Sequence, residues 1–180
     1  MNKTVDPLIP SYKRTVAVLG AFCLFLSTIE YLIPKPLPFM RLGLANLPLM
    51  LALDILPFHG FLLLATIKIL GQALVTGTLF SYIFLFSCVG TTLSALSMCA
   101  VRLLFKRRIS FVGVGVIGAM MSNISQIGLA WFFIFGKSTL YIMPPFLAVG
   151  LVTGISLGAF CEHFSAHSLW YRERLRPACS

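Results

Sequence analysis

Long apolar runs, separated by short polar or proline-containing stretches, dominate the hydropathy pattern of this chain. A helix needs about 20 mostly apolar residues to cross a bilayer. Six runs approach or exceed that length, and each predicts a spanning helix: 13–33, 41–57, 59–77, 79–105, 111–135 and 140–163. The runs lack the alternation of a membrane β-barrel strand. The pattern therefore predicts an all-α bundle of six transmembrane helices, because helices satisfy their own backbone hydrogen bonds in lipid.

Composition agrees with a membrane protein. Hydrophobic residues make up 58% of the 180 positions, charged residues only 11%, and the mean hydropathy is +0.95. A soluble domain carries about 25% charged residues, so this chain has too few to cover a water-facing surface. The short connections predict one integral-membrane domain, with an N-terminal tail at 1–12 and a basic C-terminal tail at 164–180. The proline-rich start does not resemble a signal peptide, so the first run is expected to remain as a helix.

The net charge of +9 is unevenly distributed. With six spans, both termini lie on one side, and ten of the 14 basic residues fall on that side. Only Lys35, Arg41 and Lys137 fall on the other side. The positive-inside rule then places both termini in the cytoplasm, which favours a multi-pass protein of the cytoplasmic membrane over a nucleic-acid binder. The basic stretch Arg102–Arg108 is expected to contact anionic lipid headgroups, with docking of a cytoplasmic partner as the alternative.

Lys68 is the most costly residue in the apolar runs, since an ionised lysine at mid-membrane costs at least about 2.5 kcal/mol. Its helix should therefore turn this side chain towards the bundle interior. Gln72 and Thr76 follow at i+4 and i+8 and share its helical face. Two readings remain open: an internal ion pair with Glu30 or Asp54, or a site for a ligand.

Further polar groups point to a shared cavity near Lys68. Gly43 and Pro48 allow an irregular backbone near Asn46, and such backbone is tolerated in membranes where it lines a cavity. The fifth run carries two amides and two hydroxyls within little more than one turn, although interhelical hydrogen bonds alone could explain them. The resulting ligand-binding candidates are Arg41, Asn46, Lys68, Gln72, Ser122, Asn123 and Gln126. Cations and amides with apolar walls suit a small anionic or polar-headed ligand that also has an apolar portion.

Small residues recur four apart in the first and last runs, a spacing that lets helix backbones approach closely. Ala17 and Ala21 form one such pair. Gly150, Gly154 and Gly158 form the other stripe. Packing within the bundle and docking of another membrane subunit both fit these stripes.

No sequence signature of an enzyme, cofactor site or metal site accompanies these features. GxSxG, HExxH, P-loop and DDxxD motifs are all missing, and the five acidic residues are scattered. A phosphate-handling enzyme normally clusters carboxylates around its metals. The five cysteines show no CxxC or Cys/His ligand spacing and are interpreted as small apolar residues.

Three stretches, RLGLANLPLMLAL, IKILGQALVTGTL and GVGVIGAMMSNISQIGLAWF, resemble a small bacterial membrane family known as the Gx transporter family or heptaprenyl diphosphate synthase component I. The similarity centres on Gly43–Asn46 and on the Asn-x-x-Gln of Asn123 and Gln126. The family commonly has basic residues where Arg41 and Lys68 stand. It often has a histidine at the position of Ser122, and this departure weakens any histidine-dependent proton step.

This family is in turn similar to the S components of energy-coupling-factor transporters, which have six helices and an AxxxA motif on the first. Ala17 and Ala21 match that motif. The leading expectation is therefore an S-component-like subunit of the bacterial inner membrane that takes up a small ligand with a transmembrane T component and ATPase subunits. The alternative is a non-catalytic membrane subunit that assists a soluble prenyl synthase in polyprenyl diphosphate or menaquinone side-chain metabolism. Neither expectation makes the chain itself an enzyme.

Overall fold

The structure, a computed structural model, describes residues 8–33, 43–105 and 108–174, and its regular elements within these ranges are helical. The α-helices are α1 (Leu8–Leu32), α2 (Leu47–Ala52), α3 (Phe58–Val75), α4 (Tyr82–Phe105), α5 (Phe111–Ala130), α6 (Thr139–His167) and α7 (Leu169–Glu173). A 3-10 turn at Leu44–Asn46 precedes α2, and a π-helical turn at Trp131–Phe135 with a 3-10 turn at Gly136–Ser138 joins α5 to α6.

The predicted all-helical class is confirmed, and the long apolar helices indicate association with a membrane. Four segments of the described chain are long and apolar enough to cross one: Lys13–Leu32, Phe58–Val75, Tyr82–Phe105 and Phe111–His167. The last segment contains both α5 and α6. Judged by helix length and composition, the described residues therefore do not reproduce the predicted count of six spanning helices.

The prediction of one continuous spanning helix over 41–57 is not reproduced, because the described part of this segment is broken into a 3-10 turn, a short helix and turns. In this region α2 has only six residues, about 9 Å of helix, whereas the hydrocarbon core is about 30 Å thick. Every residue from Leu47 to Leu56 is buried in the bundle. The run is apolar because it fills the protein interior, not because it contacts lipid. Irregular backbone is tolerated at membrane depth when protein surrounds it in this way.

The directions of the helices follow from their contacts. Gly20 of α1 lies against Leu64 and Ile67 of α3, and Leu24, one turn further along α1, lies against Gly71. The contacts advance together along both helices, so α1 and α3 run parallel. The intervening chain must return from one end of the bundle to the other, and the segment containing α2 makes this return.

Helices α4, α5 and α6 pack as successive antiparallel neighbours, closely enough that glycines stand at their contacts. Gly90 of α4 approaches Gln126 of α5, and Gly118 approaches Met98. Gly158 of α6 approaches Val112 at the start of α5. These contacts bring the starts of α1, α3 and α5 to the same end of the bundle as the finishes of α4 and α6.

That end also carries α7, and we call it the basic end because Lys13, Arg14, Arg108 and Arg172 are exposed there. The described part of the predicted C-terminal tail, residues 164–174, is mostly helical. Helix α6 continues to His167, and α7 places Tyr171 in the apolar core at 2% exposure. The opposite end carries Lys137, which is exposed in the turn before α6.

Candidate functional site

The turn formed by Gly43–Asn46 lies between two buried charged residues. Gly43 adopts a left-handed backbone with φ of 81°, which favours glycine, and its N–H donates to Glu30 Oε1 at 3.3 Å. At the other end of the turn, Lys68 Nζ donates to Asn46 Oδ1. Glu30 belongs to α1 and Lys68 to α3. The turn is therefore attached to both of these parallel helices.

Lys68 and three other predicted residues line one small cavity. Lys68 and Gln72 are 4% and 6% exposed, so α3 turns this polar face inwards, as its i, i+4 spacing predicts. Asn46 comes from the turn and Ser122 from α5. Glu30 and Thr91 complete the polar lining. The cavity therefore contains one buried carboxylate and one buried ammonium group, together with amides and hydroxyls.

Helix α5 supplies the other predicted polar residues. Gln126 Nε2 donates to Ser122 Oγ at 3.0 Å, and Gln126 Oε1 is buried without a hydrogen-bond partner among the described residues. Asn123 Nδ2 donates to the Phe146 carbonyl of α6 at 3.0 Å. Asn123 is therefore engaged in the α5–α6 contact, although it also borders a second cavity.

The second cavity adjoins the first, because Gly43, Asn46 and Ser122 border both. Its remaining lining is mostly small or apolar and includes Met50 and Met98. The two cavities offer about 10 Å³ and about 20 Å³ to the centre of a water molecule. Spaces of this size hold a water molecule at most. A polar compartment thus lies beside an apolar one, and both are narrow.

The described contacts decide between the two acidic partners that the sequence offered for Lys68. Asp54 lies near the basic end, where both of its carboxylate oxygens accept hydrogen bonds from Arg102. Its Oδ2 also accepts from the Tyr171 hydroxyl at 3.1 Å. Glu30, by contrast, shares the cavity with Lys68. The acidic residue available to Lys68 is therefore Glu30.

The ion pair of Asp54 and Arg102 is not predicted from the sequence. Sequence reasoning placed Arg102 among the exposed basic residues that contact lipid headgroups, but Arg102 is 3% exposed. The two residues are 48 positions apart, and Tyr171 is 117 positions from Asp54. No local pattern signals such a pairing. The one available hint was an acidic residue at the end of an apolar run, which needs a partner if it is buried.

The small-residue stripes have different surroundings. Gly150, Gly154 and Gly158 are buried against α5, and a Cβ added at Gly150 would lie 1.9 Å from Asn123 Nδ2. This stripe is occupied by packing within the chain and leaves no room for a second subunit. Ala17 and Ala21 are exposed on α1. Of the other predicted residues, Arg41 lies outside the described part of the chain.

Most of the chain matches a family of known proteins. Residues 19–164 match the family described as heptaprenyl diphosphate synthase component I, a span that includes both cavities and the helices around them. The chain belongs to this family. No curated protein and no solved structure matches the chain. The resemblance to heptaprenyl diphosphate synthase component I is thus confirmed, whereas the transporter label has no counterpart in the match.

Membership of this family bears on activity. Component I is a non-catalytic part of a multi-subunit synthase, in agreement with a chain that is not itself an enzyme. Among the residues that the structure describes, no three His, Cys, Asp or Glu side chains group around a possible metal position.

Proposed function

We propose that the chain is a membrane subunit of a heptaprenyl diphosphate synthase, and that it assists a soluble catalytic subunit rather than catalysing prenyl transfer. The observation that carries this proposal is the family match over residues 19–164. The chain lacks the DDxxD motifs with which a catalytic subunit would hold its magnesium ions. Catalysis then belongs to the partner, and this chain supplies a membrane platform for an amphiphilic product.

We further propose six membrane crossings, with both termini in the cytoplasm and the second crossing made by the buried segment around α2. The parallel directions of α1 and α3 support this topology, since they require a return crossing between them. The exposed arginines at the basic end support the orientation. The soluble catalytic subunit would then meet the basic end.

Co-purification tests the proposed function. The tagged full-length chain, extracted in mild detergent, is expected to retain a soluble prenyl synthase that carries DDxxD motifs, and this is measured by mass spectrometry of the bound proteins. An unrelated membrane protein of similar size and charge serves as the control. Recovery of the synthase at no more than the control level would refute the proposal.

We also propose that Asn46, Lys68, Gln72, Ser122, Asn123 and Gln126 recognise the polar end of a small ligand, with Arg41 as a further candidate. The apolar compartment beside Met50 and Met98 would take the apolar portion, since methionine side chains adapt readily to shape. Glu30 offsets the charge of Lys68, so the lining favours a polar head over a highly charged one. Entry requires the Gly43–Asn46 turn to move, because the present space is narrow.

Replacing Lys68 with glutamine is expected to remove the retained ligand while the bundle stays folded. Glutamine can still donate a hydrogen bond, but it loses the charge and reaches about one bond less far towards Asn46. Small molecules retained by the mildly purified protein are measured by mass spectrometry, with a loss of about tenfold expected. Lys137→Gln, an exposed lysine at the opposite end, is the matched control.

The same variant distinguishes a ligand site from a structural ion pair. If Lys68→Gln unfolds and the double variant with Glu30→Gln recovers folding, Lys68 and Glu30 form a structural pair. Ligand retained equally by Lys68→Gln and Lys137→Gln would count against a ligand role for Lys68.

Uptake of a small ligand is the second candidate function, and the exposure of Ala17 and Ala21 is the observation that favours it. Two small residues four apart on an outward helix face allow close approach of another helix. Val18 and Phe25 are 51% and 60% exposed on the same helix, so a transmembrane partner would find an apolar surface here.

Replacing Ala17 with tryptophan tests this candidate. The bulky side chain is expected to abolish co-purification of a transmembrane T component without affecting folding, because the position is exposed. Val152→Trp, at an exposed position on α6 and away from this surface, is the control. If no T component accompanies the wild-type protein, or if Ala17→Trp retains it, the uptake reading loses its support.

A further inference from the structure

The basic end contains an open depression over the bundle interior. Its floor is the ion pair of Asp54 and Arg102, and its walls include Ser110, Glu162 and Tyr171. Its volume, measured as for the two cavities near Lys68, is about 250 Å³, whereas theirs are about 10 Å³ and about 20 Å³. The polar lining and the position at the helix ends indicate that it opens to water rather than to lipid.

Hydrogen bonds hold the two sides of this depression in place. Arg102 Nη1 donates to the Ile109 carbonyl at 2.8 Å, which attaches the α4–α5 turn to α4. The Tyr171 hydroxyl donates to Asp54, which attaches α7 to the turn before α3. Phe111 packs edge-on against the Tyr171 ring, with centroids 6.4 Å apart. The ion pair therefore orders both flanking segments.

Each anchored residue has an exposed arginine as its neighbour in the chain. Arg108 precedes Ile109, and Arg172 follows Tyr171. Both arginines are thus held at the margins of the depression by residues that are themselves fixed. Only the backbone is fixed in this way, and a partner would still order the two exposed arginine side chains.

The charge balance of this end specifies the chemistry of the partner. Lys13, Arg14, Arg108, Arg172 and Arg174 carry positive charge there, against the acidic side chains Glu162 and Glu173. Asp54 adds no net charge because Arg102 neutralises it. The surface is therefore complementary to an acidic one.

We infer that the basic end, with Arg108 and Arg172 flanking the depression, is the docking surface for an acidic patch on the catalytic subunit of the same synthase. The inference rests on the proposed function and names the surface through which that function is exercised. A protein partner fits better than lipid headgroups, since the depression lies over the buried α2 segment, whereas headgroups surround the sides of a bundle.

Binding of the soluble catalytic subunit of the same organism's synthase tests this inference. The full-length chain is placed in nanodiscs of neutral phosphatidylcholine, and the dissociation constant is measured by biolayer interferometry. The double variant Arg108→Glu, Arg172→Glu is expected to bind about tenfold more weakly at low salt. Wild-type binding is expected to weaken at about 1 M salt, where the Debye length falls to about 3 Å. Lys137→Glu, at the opposite end, is the matched control and should bind as the wild type does.

The possible results separate this inference from the proposed function. If the wild type binds and the double variant binds equally well, the docking surface is wrong while the proposed function stands. If the wild type binds no catalytic subunit, both are wrong. If the double variant keeps the catalytic subunit but loses binding to phosphatidylglycerol vesicles, the basic end serves lipid headgroups and the inference is overturned. Both arginines are exposed, so unfolding is not expected to confuse these results.

Discussion

Replacing Arg102 with glutamine is expected to destabilise the protein by about 3–5 kcal/mol, the usual cost of removing one partner from a buried ion pair. The guanidinium group donates to both carboxylate oxygens of Asp54 and to the Ile109 carbonyl. It also lies 4.9 Å from the centre of the Phe111 ring. The variant would leave the Asp54 carboxylate buried without its cation, and it would release the segments that carry Arg108 and Arg172.

Unfolding in detergent, followed by circular dichroism, measures this effect. Arg172→Gln is the matched control, because that arginine is exposed and its loss should change stability by no more than about 1 kcal/mol. The double variant Arg102→Gln, Asp54→Asn should recover part of the loss, since it removes the uncompensated charge. Similar unfolding of Arg102→Gln and Arg172→Gln would contradict the importance of the buried pair.

Replacing Gly158 with alanine is expected to destabilise the protein by about 1–3 kcal/mol through overpacking. A Cβ at this position would lie 2.4 Å from Val112 Cα and 2.8 Å from the Phe111 carbonyl oxygen. These are backbone atoms of α5, so α5 and α6 would have to separate. The movement would also disturb Ser122 and Asn123, which α5 presents to the cavities.

Gly128→Ala provides the matched control for this substitution. Gly128 also lies in a helix, but an added Cβ there would meet no described atom within 4 Å. Alanine favours the helix over glycine by about 1 kcal/mol, so Gly128→Ala should be neutral or slightly stabilising. Equal effects of the two substitutions on the unfolding midpoint would show that α5 and α6 are not packed closely at Gly158.

Parts of the candidate site could be predicted because they depend on spacing within one helix. Lys68 and Gln72 share a face by helical geometry alone, and the cost of exposing a lysine to lipid turns that face inwards. Ser122 and Gln126 are likewise four apart and are hydrogen-bonded in the structure. The meeting of Asn46 with Lys68 was an expectation from their shared chemistry rather than from any periodicity.

Other parts of the site could not be read from local patterns. Glu30 and Asp54 were equivalent candidates for Lys68, since each stands near the end of an apolar run. Only the arrangement of helices assigns Asp54 to Arg102 and brings Glu30 to the cavity. The sequence does not indicate that Tyr171 is buried, because a tyrosine in a basic tail is equally compatible with an exposed segment.

The sequence by itself determined that this protein is helical and apolar, where its long helices lie, and to which family it belongs, because these properties depend on composition and on residues that are neighbours along the chain. The tertiary structure alone decided that 43–57 is a buried, broken segment rather than one continuous helix, and that Asp54, Arg102 and Tyr171 form one buried cluster. The physical reason is the same in both cases. An apolar side chain avoids water equally well against lipid or against protein, and a buried charge accepts any partner that the fold brings within reach.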